Sequence, residues 1–152
     1  MGETNYQHRQ SGKMLKVVML ILVVIMGYMI FTQPGIPGQF GILTLGVILI
    51  VSWLFGSLNV LVSSREIAVA FGPGWIKRRI AVSSIVSVKI VQNSWLLGWG
   101  IRVIPNGLMF NIAGFDAVEL ELRNGGVFRI GTDEPARLES AIREAMQMKG
   151  VY

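Results

Sequence analysis

Two apolar runs near the N-terminus, residues 17–31 and 40–62, constrain this chain more than any other feature. A short uncharged loop, residues 32–39, separates them, and neither run carries a charge. As a helix rising ~1.5 Å per residue, the second run reaches about 34 Å, enough for a bilayer core of ~30 Å. The first reaches roughly 22 Å, and it nears the needed length if Met14 and Leu15 join it while Lys16 snorkels back to the interface. The expected organisation is a tail at 1–13, a transmembrane helical hairpin at 14–62 with spans near 14–32 and 40–62, and a separate domain at 63–152.

Composition agrees. Hydrophobic residues make up 52% of the chain and charged residues 15%, too apolar for an ordinary soluble domain. The excess lies in the two runs, and the remainder can hold one small core. The absence of cysteine excludes a disulfide framework and thiolate chemistry. Arg9, Lys13 and Lys16, with His8 beside them, precede the first run. A basic stretch of this kind can also open a cleaved signal. No small-x-small site follows Phe31, however, and a second apolar run comes next, so the hairpin is expected to be retained. Arg65, Lys77, Arg78 and Arg79 follow the second run, whereas the loop is neutral. The positive-inside rule then places both termini in the cytoplasm of a multi-pass cell-membrane protein. Pro34, Gly35, Pro37 and Gly38 suit a tight turn at the outer surface. Neither span has an acid or base in its middle, which argues against an ion pathway within one copy.

After Val62 the pattern alternates. Strands are expected at 66–71, 75–80, 84–92, 100–104, 108–112, 117–123 and 127–131, with a loop at 93–99. A helix follows, opened by Thr132, Asp133, Glu134 and Pro135 and running to about Lys149. Leu138, Ala141, Ile142, Ala145 and Met146 form its apolar stripe. If Asn106-Gly107 is a two-residue turn, Val103 opposes Phe110 and Arg102 opposes Asn111. If Asn124-Gly125-Gly126 is a three-residue turn, Leu122 opposes Phe128 and Glu121 opposes Arg129. Both registers gather the apolar side chains on one face: Val103, Phe110, Leu120, Leu122, Phe128 and Ile130 point inward. Arg102, Asn111, Glu119, Glu121 and Arg129 point outward.

Seven antiparallel strands closed by one C-terminal helix match the layout of a pleckstrin-homology-like (PH-like) barrel or sandwich. The sequence resembles the bacterial pleckstrin-homology-like domain family of small membrane proteins. The resemblance is carried by Gly98-Trp99-Gly100-Ile101-Arg102, Phe110-Asn111-Ile112-Ala113-Gly114, Ala117-Val118-Glu119-Leu120 and the stretch from Phe128 to Pro135. It implies an α+β membrane protein with two transmembrane helices before the domain. It implies little about function, because such folds host many binding roles.

The candidate sites have competing readings. Lys77, Arg78 and Arg79 could touch anionic lipid headgroups, at about 1 kcal/mol per base near the surface, or simply form a basic strand face. The turn beside them, Gly72-Pro73-Gly74, is too short for a headgroup pocket, so any such contact should be nonspecific. Trp95 and Trp99, with Leu96 and Leu97, either cover the barrel end or meet the membrane interface or a partner. Arg102, Asn111, Glu121 and Arg129 either form a recognition face or pair across strands, worth a few tenths to about 1 kcal/mol each. Asp133 and Glu134 favour the helix dipole rather than a metal. No catalytic set, cofactor motif or metal-ligand spacing stands out. The expected function is non-enzymatic. The domain would associate with a protein partner, or with itself as a homo-oligomer, at the membrane surface, with the bilayer as its integral partner and no nucleic acid involved. The rival expectation is a small accessory subunit of a transport or envelope system in which the spans carry the function.

Overall fold

A computed structural model describes residues 4–33 and 35–149. They form an α+β fold with two sheets and three α-helices. The first sheet runs β1 (Thr4–Ser11), β2 (Ser57–Ser63), β3 (Glu66–Phe71) and β4 (Ile76–Ala81), in that order and antiparallel throughout. Between β1 and β2 the chain makes α1 (Lys13–Thr32) and α2 (Ile36–Phe55), which pack against each other. The second sheet contains β5 (Ile85–Gln92), β6 (Gly100–Ile104), β7 (Gly107–Asn111), β8 (Asp116–Leu122) and β9 (Val127–Gly131), ordered β5-β8-β9-β7-β6. The last helix, α3, spans Pro135–Lys149.

The period-2 pattern positions the core. Leu58, Val60, Val62, Ile67, Val69 and Phe71 face inward from the first sheet, and Phe110, Val118, Leu120, Phe128 and Ile130 face them from the second. A chain of rings links the layers: Phe71 lies 5.1 Å from Phe110, and Phe110 5.2 Å from Phe128. The stripe of α3 covers this core. Leu138, Ile142 and Ala145 are fully buried, Ala141 is buried and Met146 packs against the cluster. Thr132 caps the start of α3, its hydroxyl accepting from the Glu134 amide at 3.1 Å. Arg143 ties the helix to β5 by donating to the Val88 carbonyl at 2.7 Å.

Several expectations need correction. The expected tail is an edge strand: Thr4–Ser11 pairs along the length of β2. His8 fixes it to the start of α3, 2.6 Å from Asp133 and 3.7 Å from Glu134. Burial, followed by the Glu134 charge, pushes the Tyr6 hydroxyl up to about 12. The second apolar run is not one helix. α2 ends at Phe55, and Ser57–Ser63 is a strand whose apolar side chains belong to the core. Among the described residues one helix, over Leu15–Thr32, is long and apolar enough to cross a membrane; the apolar stretch of α2, Gln39–Phe55, is shorter. Of the expected outer turn, Gly35 precedes α2 with φ 97°, Pro37 and Gly38 already lie within α2, and Pro34 falls outside the described residues. Nine strands are described rather than seven, and β7 and β9 run parallel.

Both hairpin registers are displaced by two residues. In the β6–β7 hairpin Ile104 opposes Gly107, so Pro105 and Asn106 make the turn and Arg102 faces Met109. Asn106 has φ 60°, the left-handed value that a proline-led type II turn requires at its second central residue. Proline has no amide hydrogen for the ladder, which places it in the turn. In the β8–β9 hairpin the loop has three residues but consists of Arg123, Asn124 and Gly125, so Arg129 opposes Glu119 rather than Glu121. Four expected inward residues, Phe110, Leu120, Phe128 and Ile130, are buried, and Leu122 packs at the core margin. Val103 is 82% exposed, because β6 extends past the edge of the core. Asn111 and Glu119, expected at the surface, are buried.

The parallel pair depends on one glycine. A Cβ at Gly107 would run into the Val127 carbonyl of β9. Gly107→Val should therefore lower stability by about 3 kcal/mol or more, read as a shifted denaturant midpoint. A midpoint within experimental error of wild type would refute this close approach.

Candidate functional site

The ladder between β1 and β2 brings both ends of the helical hairpin to one place. Gly12 donates its amide to the Gly56 carbonyl at 3.4 Å, and Lys16 donates through Nζ to Ser11 Oγ at 2.8 Å. The β3–β4 turn meets the same junction. Gly72 has φ 46° and lies against the Trp53 and Leu54 carbonyls, leaving no room for a side chain. Its amide donates to the Ser57 carbonyl at 2.8 Å. Across this contact Trp53 and Trp75 meet edge to face at 5.2 Å, and Phe55 lies 5.1 Å from Phe71.

Two clefts flank the junction. One, of about 450 Å³, is lined by Arg9, Lys16, Ser57 and Asn59 together with Trp53 and Pro73. Arg9 donates to Ser57 Oγ at 3.4 Å. The other, of about 500 Å³, lies between Leu15, Val51 and Phe55 of the hairpin and Trp99, Ile101 and Arg102 of the second sheet. Trp53, Trp75 and Trp99 thus all stand where the helices leave the sandwich.

The expected basic cluster does not form one surface. Lys77 and Arg79 share the outer face of β4, and Arg78 points to the opposite side. Arg79 lies 3.7 Å from Glu66. Lys77 lies in a cross-strand row with Arg9, Asn59 and Ala70, so the junction bases Arg9 and Lys16 extend the cluster that sequence spacing alone marked.

On the second sheet, strand order aligns Arg102, Met109, Arg129, Glu119 and Lys89 in one row across five strands. Glu119 is 8% exposed and holds two of the row's three cations: Oε2 accepts from Arg129 Nε at 3.0 Å, and Oε1 lies 2.9 Å from Lys89. Burial alone would raise this carboxyl, but the Arg129 and Lys89 hydrogen bonds and charges outweigh it and hold the group below its ordinary value. Arg129 also donates through Nη1 to Asn93 Oδ1 at 2.9 Å. Asn111 lies in the adjacent row, over Gly131, where a Cβ would displace it. The expected interface residues therefore gather on one sheet face together with Glu119, which the sequence also places outward, and the topology adds Asn93 and Lys89. Trp95 stands at its rim, 75% exposed in a short helical turn at Trp95–Leu97, and Trp99 lies behind it. Sequence spacing could not reveal these additions, because they come from strands that are distant in the chain.

Among the described residues no three His, Asp or Glu side chains converge as metal ligands. The site offers aromatic surface, cations and amide groups, which is the chemistry of binding. No protein-family model matches this chain, and no curated protein matches it in sequence.

Proposed function

We propose that the protein is a non-enzymatic cell-membrane protein in which a two-span hairpin holds a PH-like domain against the bilayer for association with a protein partner or a second copy of itself. The observation that carries this reading is the antiparallel β1–β2 ladder. Strands before α1 and after α2 share one sheet, so they occupy the same side of any membrane. If α1 crosses, α2 must return. At 20 residues α2 is about 30 Å long, and its apolar stretch Gln39–Phe55 covers roughly 26 Å of that. Apolar side chains along both helices are exposed, among them Leu20, Val24, Phe40 and Leu43, a surface suited to lipid. Arg9, Lys13, Lys16 and Lys77 at the domain side support cytoplasmic termini and a weak, nonspecific attraction to anionic headgroups. The PH-like reading is supported by the C-terminal helix, which packs on strands of both sheets.

Association is favoured by β6. It ends the second sheet and presents Ile101 and Val103 to solvent, and Trp95 and Leu96 in the loop before it are also exposed. An apolar edge strand of this kind is a template for added strands or partner side chains. A photo-crosslinking amino acid at position 103 of the full-length protein should give a discrete adduct in native membranes. The absence of any adduct from positions 103 and 95 would refute the association reading. Replacing α1 and α2 with an unrelated hairpin of equal length should leave the adduct intact. Its loss would favour the rival in which the protein is an accessory subunit of a transport or envelope system acting through its spans.

A further inference from the structure

The cleft of about 450 Å³ between β1, β2 and the foot of the hairpin gathers two cations that no acid answers. Ser11 and Ser57 oppose each other across the β1–β2 ladder. Each hydroxyl holds one cation: Ser11 Oγ accepts from Lys16 Nζ at 2.8 Å, and Ser57 Oγ accepts from Arg9 Nη2 at 3.4 Å. Opposed residues of an antiparallel ladder stand about 5 Å apart, so the two positive groups are anchored on neighbouring positions. Among the described residues neither Arg9 nor Lys16 stands in an ion pair, and no Asp or Glu lines the cleft. The cations on the second sheet and on α3 are treated differently: Lys89 and Arg129 meet Glu119, Arg137 meets Glu134, and Arg143 meets Glu139.

The cleft is open to a ligand. Arg9 and Lys16 are both exposed, and each keeps N–H groups beyond the one given to serine. Asn59 fixes the wall across from them, donating through Nδ2 to the Gly72 carbonyl at 3.3 Å. Ser52 and Trp53 at the end of α2 and Pro73 of the β3–β4 turn complete the lining. Lys16 lies in the first turn of α1 and Trp53 in the last turn of α2, so the cleft sits where the hairpin leaves the domain. In a chain anchored by that hairpin this is the depth of the lipid headgroups, where tryptophan and a snorkelling lysine are favoured.

We propose that this cleft seats a phosphate group held jointly by Arg9 and Lys16. An anion between them offsets their mutual repulsion and accepts charge-assisted hydrogen bonds from both. A neutral or cationic group would leave the repulsion standing. A phosphate diester carries its charged oxygens on a tetrahedral centre, so one can face each base, and it is the anion that a bilayer presents at this depth. The seat takes the phosphate and not the headgroup beyond it, which agrees with a Gly72–Gly74 turn too short to enclose a headgroup. The phosphate belongs either to a phospholipid or to a small free molecule. Only the first source rests on the two-span reading.

The test titrates the full chain in dodecyl maltoside at physiological salt and follows bound lipid by native mass spectrometry. Phosphatidylglycerol should add as one saturable molecule. Digalactosyldiacylglycerol, which has two acyl chains and no phosphate, should bind at least about tenfold more weakly. The double variant Arg9→Gln with Lys16→Gln should weaken phosphatidylglycerol about tenfold or more, while the thermal melt confirms folding. Lys77→Gln with Arg78→Gln removes the same charge from β4, three strands from β1 and beyond the ~8 Å screening length, so it should change the affinity less than about threefold. Equal weakening by the two double variants, equal binding of the galactolipid, or full binding by a folded Arg9→Gln, Lys16→Gln protein would overturn the seat. Inorganic phosphate, followed by thermal shift, separates the sources. Saturable stabilisation by phosphate that the Arg9→Gln, Lys16→Gln protein loses, without lipid binding, assigns the seat to a free phosphate. Phosphatidylglycerol binding assigns it to a phospholipid, and binding of neither overturns it. Release of the chain from membranes by alkaline carbonate would defeat the two-span reading and leave the phosphate titration standing, so the two readings fail separately.

Discussion

Ile142→Asp should prevent the sandwich from folding. Ile142 is fully buried at the centre of the α3 stripe, facing a core built from both sheets. Truncating a buried aliphatic side chain costs about 2–5 kcal/mol through lost transfer energy and the cavity left behind. An unpaired carboxylate adds several more unless it takes up a proton, which itself costs stability at neutral pH. The sum is comparable to the ~5–15 kcal/mol that holds an ordinary domain together. Ile142→Leu, which conserves volume, should cost less than about 1.5 kcal/mol. Ser140→Asp, on the exposed face, should stay within about 0.5 kcal/mol of wild type. Protease resistance and tryptophan fluorescence during thermal melting of the reconstituted chain separate these outcomes. An Ile142→Asp protein that melts like wild type would mean that this face of α3 is not buried.

The parts of this fold that could be read from sequence are those decided by local periodicity. β3, β6 and β9 and the end of α3 fall at their expected positions, because alternation and a clear apolar stripe mark them. Both hairpins slipped by two residues, and a two-residue slip keeps every side chain on its face. That is why the inward face of Phe110, Leu120, Phe128 and Ile130 is legible in the sequence while their cross-strand partners are not. β1 is not legible in the sequence, because Gln7, His8, Arg9 and Gln10 carry no apolar signal. The strand is held by its ladder to β2, by His8 to Asp133 and by Gln10 to the Ala113 carbonyl, contacts made with residues far along the chain. β2 is indistinguishable from the end of a span by hydropathy, because Leu58, Val60, Leu61 and Val62 are as apolar as a membrane helix. The available signal was Gly56 followed by Ser57 and Asn59, where the helical run gives way to a period of two. One consequence is practical. A fragment beginning near residue 63 lacks two of the four strands of the first sheet and is a poor substitute for the domain, so binding experiments need the whole chain. The candidate site was legible only residue by residue. Arg102, Asn111 and Arg129 were recognised as polar positions on apolar strands, but the row that unites Arg102 and Arg129 requires the parallel placement of β7 beside β9, which no local pattern encodes.

Arg129→Met should expose how much that row contributes. Glu119 is nearly enclosed, and Arg129 supplies two of its hydrogen bonds. Removing the guanidinium leaves the carboxylate with Lys89 alone, whose side chain is largely exposed. Breaking a buried pair from one side costs about 3–5 kcal/mol, and the remaining lysine and partial solvent access reduce this to roughly 2–3. The pH dependence gives a second readout. The fold holds the Glu119 carboxyl below its ordinary value, so the stability it contributes is present above the unfolded value of about 4.3 and is lost as pH falls through the lowered one. Without Arg129 burial opposes ionisation with far less to offset it. The difference in denaturant midpoint between wild type and variant should therefore be largest near neutral pH and should shrink as the medium is acidified below about 4. The double variant Arg129→Met with Glu119→Leu should recover much of the loss, because two apolar side chains leave no stranded charge. A double variant less stable than the single one would show that packing, not the ion pair, sets the cost.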